Sequence, residues 1–496
     1  MKPLKKHIIS KSTFIRGQQC HKSLYLNKNH KELKDVITEQ QRAIFKRGNI
    51  VGEMAQKIYP NGLDCTPDKF YNIIPSVLKT QDAINNGVEV IYEAAFQFDG
   101  VLALLDILVK KEGKWYAYEV KSAASVKGVY IQDASLQYYV INNSGIELED
   151  ISIIHLNSKY VRKNGLNLQE LFKSKSILEA VKESQQVIKS QLLEQKIVLA
   201  SKRVPKVEIG AHCNTPYPCD FKGYCWKEVS KHSVLNLNKG DEKVWDLFDS
   251  GIKNIKDIPT GTKLNQSQEI QVNSVQKGED FIDKKEIKSF LEKLNYPIYF
   301  LDFETVMPAV PLFENTRTYQ QLTFQYSLHI TEALNSETTH NEYLAEGENI
   351  DPREGLIIKL IEDLKEEGTI LVYNKDFEDR CLFELGRDFP QYLEPINKIR
   401  KRLVDLATPF EKRHYYTAEM KGKYSIKNVL PALVPELSYN DLEVQDGATA
   451  SFTFLDMMAG TFEGDISETR KNLLDYCKLD TFAMVKILEK LYKVLD

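Results

Sequence analysis

In the segment PIYFLDFETV, Asp302 and Glu304 stand two residues apart in an otherwise apolar run. Side chains alternate across a strand, so both carboxylates share one face. Burying two such groups is costly unless positive charge sits between them, and a hard cation such as Mg²⁺ or Mn²⁺ suits all-oxygen donors. Taken alone, the pair fits a solvent-facing strand end as well. Further acids extend the pattern. Glu378 follows the apolar run GTILVYN at the start of a predicted helix. Tyr476 and Asp480 lie four apart, on one face of another. Four carboxylates and a phenol could hold two cations about 3.5–4 Å apart, activate a water and stabilise the leaving oxygen of a phosphodiester.

A second group lies near the N-terminus. Asp106, in LLDILVKK, stands one predicted strand before the Glu119-x-Lys121 triplet of YEVKS. On adjacent strands of a hairpin, the two acids could bind a cation beside a lysine that neutralises developing charge. An exposed hairpin with a mixed polar face would show the same residues. Seven cysteines are an odd and ordinary number; Cys213, Cys219 and Cys225 cluster in HCNTPYPCDFKGYC, and Cys20 stands apart. In a reducing compartment, ligand or core roles are favoured over disulfides. Cys381 and Cys477 read as small buried hydrophobes, and Cys65 has no assigned role.

These residues need an α/β frame. With 496 residues the chain should divide into two or three domains. Residues 1–232 open with helices, pass through β patterning in VEVIYEAAFQFDG, VLALLDILVKKEG and KWYAYEVKSA, then return to helices over 127–143 and 167–200. Residues 233–290 read as a small helical connector. From 291 a short helix, the strand bearing Asp302, further strands and a long C-terminal helix form a third region. A 42% apolar, 27% charged composition is that of a globular protein. No apolar run reaches the roughly 18 residues that a membrane-spanning helix requires. MKPLKKHIISKSTF lacks the apolar core of a secretory signal, so a cytoplasmic protein without membrane spans is expected. A net charge of −4 means that nucleic acid would be met by local patches. Lys421, Lys423 and Lys427 could form one, although such a run also fits a solvated face.

The order LDFET, YNxxFE, YxxxD resembles the three motifs of DnaQ-like, ribonuclease H-fold 3′–5′ exonucleases in their tyrosine-containing DEDD form. The resemblance implies that Asp302, Glu304, Glu378 and Asp480 are metal ligands and that Tyr476 orients water. Glu378 stands where that family usually has Asp. Asp106, Glu119 and Lys121 resemble the core of PD-(D/E)XK nucleases of the RecB-like branch, which includes AddB and CRISPR-associated exonucleases. Gln137 matches that branch's glutamine, with Ile141 where a tyrosine is expected; Glu53, in RGNIVGEMAQ, stands where many members have histidine. One or two cations would bind there. The branch's iron–sulfur members place one cysteine before the core and three after it, which implies a 4Fe–4S cluster on Cys20, Cys213, Cys219 and Cys225. Zinc is the alternative occupant of a four-thiolate site.

Nearly the whole chain resembles a bacterial family of uncharacterised function that fuses these two nuclease types. The expectation is therefore a metal-dependent nuclease with a restriction-endonuclease-like domain carrying the cluster (1–232), a connector (233–290) and a ribonuclease H-like exonuclease domain (291–496). Its substrate would be DNA with single-stranded or 3′ ends, met in repair or in defence against phage. The alternatives are an iron–sulfur nucleic-acid clamp with one or both centres degenerate, and a ribonuclease.

Overall fold

A computed structural model of the protein describes residues 7–69, 71–347, 350–439 and 442–495. Residues 1–6, part of the segment weighed above against a secretory signal, lie outside them. The chain forms two compact units of mixed α/β structure. The first comprises 1–228 and 309–320, the second 229–308 and 321–496.

In the first unit a six-stranded sheet runs in sequence order: β1 (Leu63–Asp64), β2 (Val90–Phe98), β3 (Val101–Lys111), β4 (Lys114–Lys121), β5 (Leu148–Leu156) and β6 (Phe172–Ser176). Local chemistry sets its central hairpins. Asp99-Gly100 and Glu112-Gly113 both have positive φ, the conformation of tight turns whose twist matches that of antiparallel strands. β4 and β5 are parallel, joined by the Gly128–Asn143 helix, whose Ala134, Val140 and Ile141 pack on Ile91, Leu105 and Ala117. The predicted helix over 167–200 is broken. A Leu168–Leu171 turn leads into β6, and helices resume at Leu178–Glu183 and Gln185–Ala200. Phe172 is buried while Lys173 to Ser176 are exposed, so this stretch has no helical apolar face and pairs instead along β5 as a lysine-bearing edge.

The second unit holds a two-stranded pair, β7 (Phe281–Ile282) with β13 (Tyr415–Tyr416), and a five-stranded sheet. The sheet contains β8 (Ile298–Val306), β9 (Leu322–Thr331), β10 (Thr338–Leu344), β11 (Thr369–Val372) and β12 (Leu403–Asp405), in the order β10-β9-β8-β11-β12. β8 is central, antiparallel to β9 and parallel to β11. Its alternation is two-sided. Tyr299, Leu301 and Phe303 pack against Leu356, Leu360 and Leu382. Ile298 and Phe300 face Ala483, Met484 and Ile487 of the Ile466–Lys493 helix. Asp302 and Glu304 continue this second face, which aims them at that helix.

The 233–290 stretch has its helices, Asp241–Asp249 and Gln266–Lys277, around a small core of Val234, Val244, Ile255 and Val272. It clusters with the second unit, to which the β7–β13 pairing ties its end. Residues 309–320, between β8 and β9 in the chain, fold into the first unit. Among the described residues no helix is long and apolar enough to cross a membrane.

One buried and one half-buried imidazole make the second unit acid-sensitive. His329 and His340 face each other with ring centroids 4.4 Å apart, bonded to Thr481 and Ser327 hydroxyls at 2.8 and 2.9 Å. Burial pushes His329 down to about 3, with His340 adding to it, and His340 down to about 4. The folded state thus holds both neutral, whereas the unfolded chain takes up protons near pH 6.5. Their contribution to stability is complete above about pH 6.5 and declines as pH falls toward 4. We predict that the stability difference between wild type and His340→Gln shrinks over this window, by at most about 1.4 kcal/mol per pH unit; chemical denaturation across a pH series measures it.

Candidate functional site

In the second unit, Asp302 and Glu304 project from β8 toward Asp480, and one carboxylate oxygen from each lies within 4.8 Å of the other two. Glu378, in the first turn of the Lys375–Asp388 helix, is buried with Oε2 unbonded, and its charge couples to Asp302 and Glu304. The Asp405 carboxylate at the end of β12 helps set that helix start. It accepts from the Asn374 and Lys375 backbone N–H groups at 3.1 and 3.0 Å, doing from outside what an N-cap side chain does from within. Asn374 has a φ of 78° and provides no cap of its own.

Tyr476 and Asp480 both turn inward from the C-terminal helix, and Tyr439 donates to Asp480 Oδ1 at 2.6 Å. Asp302, Glu304, Tyr373, Lys427, Tyr476 and Asp480 line one cavity. Burial, then the neighbouring acids, pushes Asp302, Glu304 and Glu378 well above the carboxylate range. Burial also carries Asp480 to about 6 and holds the Tyr476 phenol firmly protonated. Lys427 is the cation that offsets the acids; its Nζ lies 5.4 Å from the ring centroids of both Tyr439 and Tyr476. Among the described residues, Lys427 lines this cavity with half-buried Asp302 and buried Glu304 and Asp480, and buried Glu378 acts on Asp302 from close by, so acids outnumber the cation. Donors of this hardness and number fit a divalent cation.

The first unit treats the same problem differently. Asp106 and Glu119 sit across the β3–β4 hairpin, and Asp106 Oδ2 accepts from the Val120 N–H at 2.5 Å. Glu119 accepts from Lys11 at 2.5 Å, Lys121 at 2.8 Å and Gln137 at 2.5 Å. Burial alone would raise Glu119, but the two lysines hold it down to about 2. Asp106, raised first by burial and then by Glu119, reaches about 7. Lys121 also bonds Asp133 at 2.8 Å and lies over the Tyr130 ring.

The structure thus brings together Asp106, Glu119, Lys121 and Gln137. Glu53 is exposed on the Glu39–Gln56 helix and joins none of these bonds. Sequence reasoning missed Glu93, which occupies an irregularity opposite Asp106 with φ at 51°; burial, then Asp106 and Glu119, lifts it to about 8. An acid inside the apolar run VEVIYEAAF was the available signal. Lys11 and Tyr439 had none, since no spacing links them to the motifs they touch.

Cys20, Cys213, Cys219 and Cys225 line a single cavity with Lys22 and Trp226. Burial raises the Cys20 and Cys225 thiols, and the other cysteines add to it. Around them the two ends of the unit are stitched together. Arg16 donates to both oxygens of Asp220, and Gln19 to the His212 and Tyr217 carbonyls at 2.8 and 2.7 Å. Cys65, Cys381 and Cys477 are buried; Cys477 also lies 3.6 Å from Asp302 Oδ2.

Residues 299–425 match the family described as Domain of unknown function (DUF2779). The chain is similar to the Uncharacterized protein MG366 homolog of Mycoplasma pneumoniae, 29% identical over 223 residues, covering 40% of this chain and 33% of the relative. It is also similar to Uncharacterized protein UU173 of Ureaplasma parvum, 27% identical over 312 residues, covering 56% and 41%. The matched stretches thus span under half the length of these relatives.

The charge imbalance in the second unit has a measurable consequence. Asp302→Asn removes one of the mutually repelling acids, so the metal-free variant should melt higher than wild type. Mn²⁺ should stabilise wild type by about 2.7 kcal/mol at a hundredfold excess over its Kd, and the variant far less. Thermal melting of the metal-stripped protein with and without Mn²⁺ reads both signs.

Proposed function

We propose that the chain is a divalent-metal-dependent nuclease that hydrolyses phosphodiester bonds of DNA, with two centres. The C-terminal centre belongs to a ribonuclease H-like, DnaQ-type domain and removes nucleotides from 3′ ends. The N-terminal one belongs to a PD-(D/E)XK domain of RecB-like type. The observation that carries the reading is the convergence of Asp302, Glu304 and Asp480 oxygens within 4.8 Å, beside buried Glu378 with an unbonded oxygen. Four acids from β8 and two helices, widely separated along the chain and three of them buried, have no reason to gather here unless they hold charge.

Mg²⁺ or Mn²⁺ bound to these acids supplies an activated water and stabilises the leaving oxygen. The protein's own side chains do the rest. Asp302, Glu304, Glu378 and Asp480 fix the donor set. Tyr476, protonated throughout the neutral range, can donate a hydrogen bond that orients a nucleophilic water. Lys427, lining the same cavity, offers its ammonium to a substrate phosphate. In the N-terminal centre Asp106 and Glu119 are the donors for one or two cations, Lys121 stabilises negative charge, and Gln137 orients Glu119. The expected substrate is DNA with single-stranded or 3′ ends.

The four cysteines, which line one cavity, fit an iron–sulfur cluster of the 4Fe–4S type. Zinc is the other metal that four thiolates would take, and the two differ in colour and in metal content.

A second reading for the first unit rests on Glu119, already neutralised by two lysines, and on the exposed Glu53. There the N-terminal domain clamps nucleic acid and leaves cutting to the other centre.

Asp302→Asn should slow stepwise loss of 3′ nucleotides from end-labelled DNA by at least a hundredfold, a loss of about 2.7 kcal/mol of transition-state stabilisation. Residual Mn²⁺-dependent cleavage that disappears with a further Asp106→Asn would belong to the first unit; its absence in the single variant favours the clamp. Persistence of stepwise digestion in Asp302→Asn rules the C-terminal assignment out. Cys219→Ser, purified without oxygen, should lose the brown absorbance and iron of wild type and melt lower; a colourless, zinc-loaded wild type refutes the cluster.

A further inference from the structure

The strap formed by residues 309–320 is part of the first unit, although β8 and β9 of the second unit flank it in the chain. Its attachment is specific. Arg162 donates its backbone N–H to the Thr316 carbonyl at 3.0 Å and receives the Asn315 N–H at 2.8 Å. Its guanidinium reaches Glu314 at 3.1 Å and the Leu312 carbonyl at 2.7 Å. Ala309 and Tyr319 pack with Val51, Ala55 and Tyr118 in one apolar cluster. Tyr319, at a φ of 56°, donates its hydroxyl to the Ser122 carbonyl at 2.5 Å. Ser122 directly follows Lys121, so the strap is fastened one residue from the centre's lysine.

Above the Tyr319 ring lies Arg47 of the Glu39–Gln56 helix, its guanidinium carbon 5.6 Å from the ring centroid. Arg42, earlier on the same helix, is neutralised by Glu39 at 2.6 Å. Arg47 makes no hydrogen bond or ion pair among the described residues, and its Nε is buried without a partner. A guanidinium that is stacked, fixed and unpaired is prepared for a planar, two-oxygen anion. We propose that Arg47, held on the Tyr319 platform of the strap, is a phosphate-binding residue that seats the nucleic-acid backbone beside the N-terminal centre. The proposal rests on the nuclease reading of that centre for its substrate class. It makes the strap a working part of the site, for without Tyr319 the arginine has no surface to lie on.

The test is equilibrium binding of a fluorescein-labelled single-stranded oligodeoxynucleotide to the full-length protein, with Ca²⁺ replacing Mg²⁺, across a salt series. Loss of one phosphate contact should flatten the slope of log K against log salt by about 0.7 for single strands. Arg47→Ala is expected to flatten it so and to weaken binding several-fold, while Arg47→Lys, which keeps the charge, retains most of the slope. Tyr319→Phe keeps the ring and should bind like wild type. Tyr319→Ala should reproduce Arg47→Ala, and the double variant should be no weaker than either, because both remove one device. A purely structural role would lower melting temperature in these variants and leave the salt slope alone. An unchanged slope in Arg47→Ala, or additive losses in the double variant, overturns the proposal.

The nuclease reading fails separately. If Asp106→Asn leaves first-unit cleavage intact while Arg47→Ala flattens the slope, the catalytic assignment falls and the phosphate contact stands. If Asp106→Asn abolishes that cleavage and Arg47→Ala changes nothing, only the contact falls.

Discussion

Charge that cannot be hydrated is the constraint on which both units are organised. A carboxylate removed from water must be protonated, paired or bound to a cation, and each unit adopts a different mixture of these. Around Glu119 the protein supplies its own cations, Lys11 and Lys121, together with the Gln137 amide. That corner is electrostatically complete, and Asp106 and Glu93 beside it, raised to about 7 and about 8, shed excess negative charge by taking up protons. Around Asp302 the described residues supply one lysine against four acids, and burial and mutual repulsion push Asp302, Glu304 and Glu378 toward the protonated form. The contrast follows from where the acids sit. β3 and β4 lie within reach of an N-terminal helix that can deliver a lysine, whereas β8 is central in its sheet and faced by a helix that itself brings another acid.

Much of this arrangement was legible in the chain. Two-residue alternation through PIYFLDFETV placed Asp302 and Glu304 on one face, and the four-residue step from Tyr476 to Asp480 turned both inward. The Asp-Gly turn between β2 and β3 declared a hairpin through local conformational preference alone. The cysteines 20 and 213–225, distant in sequence, line one cavity. What could not be read depends on tertiary pairing. β6 looked helical because the lysines and serines of FKSKS are indifferent to secondary structure until an open strand edge claims them. Glu53 sat in a motif-like phrase but faces solvent, while Glu93 lies beside the site at a positive φ that no periodicity announces. Lys11 reaches Glu119 across 108 positions.

Rigidity is distributed to match. The candidate ligands project from strands, from one helix start and from the middle of the C-terminal helix. The shell that orients them is made of a carboxylate, a backbone donor and a phenol: Asp405 at the Glu378 helix, the Val120 N–H at Asp106 and the Tyr439 hydroxyl at Asp480. Such partners constrain rotamers without adding conformational freedom of their own.

The strap alters how the polypeptide can be assembled. The chain passes from one unit to the other three times, at 228/229, 308/309 and 320/321, so neither unit is a contiguous segment. During synthesis the N-terminal sheet can form early, but its last wall arrives only after β8 has left the ribosome, roughly 80 residues beyond the end of the unit's main segment, or several seconds at ordinary elongation rates. Gene-level recombination meets the same restriction. An exchange at the boundary between the two halves would leave a donor strap to fit a foreign partner, so the halves are expected to have diversified together.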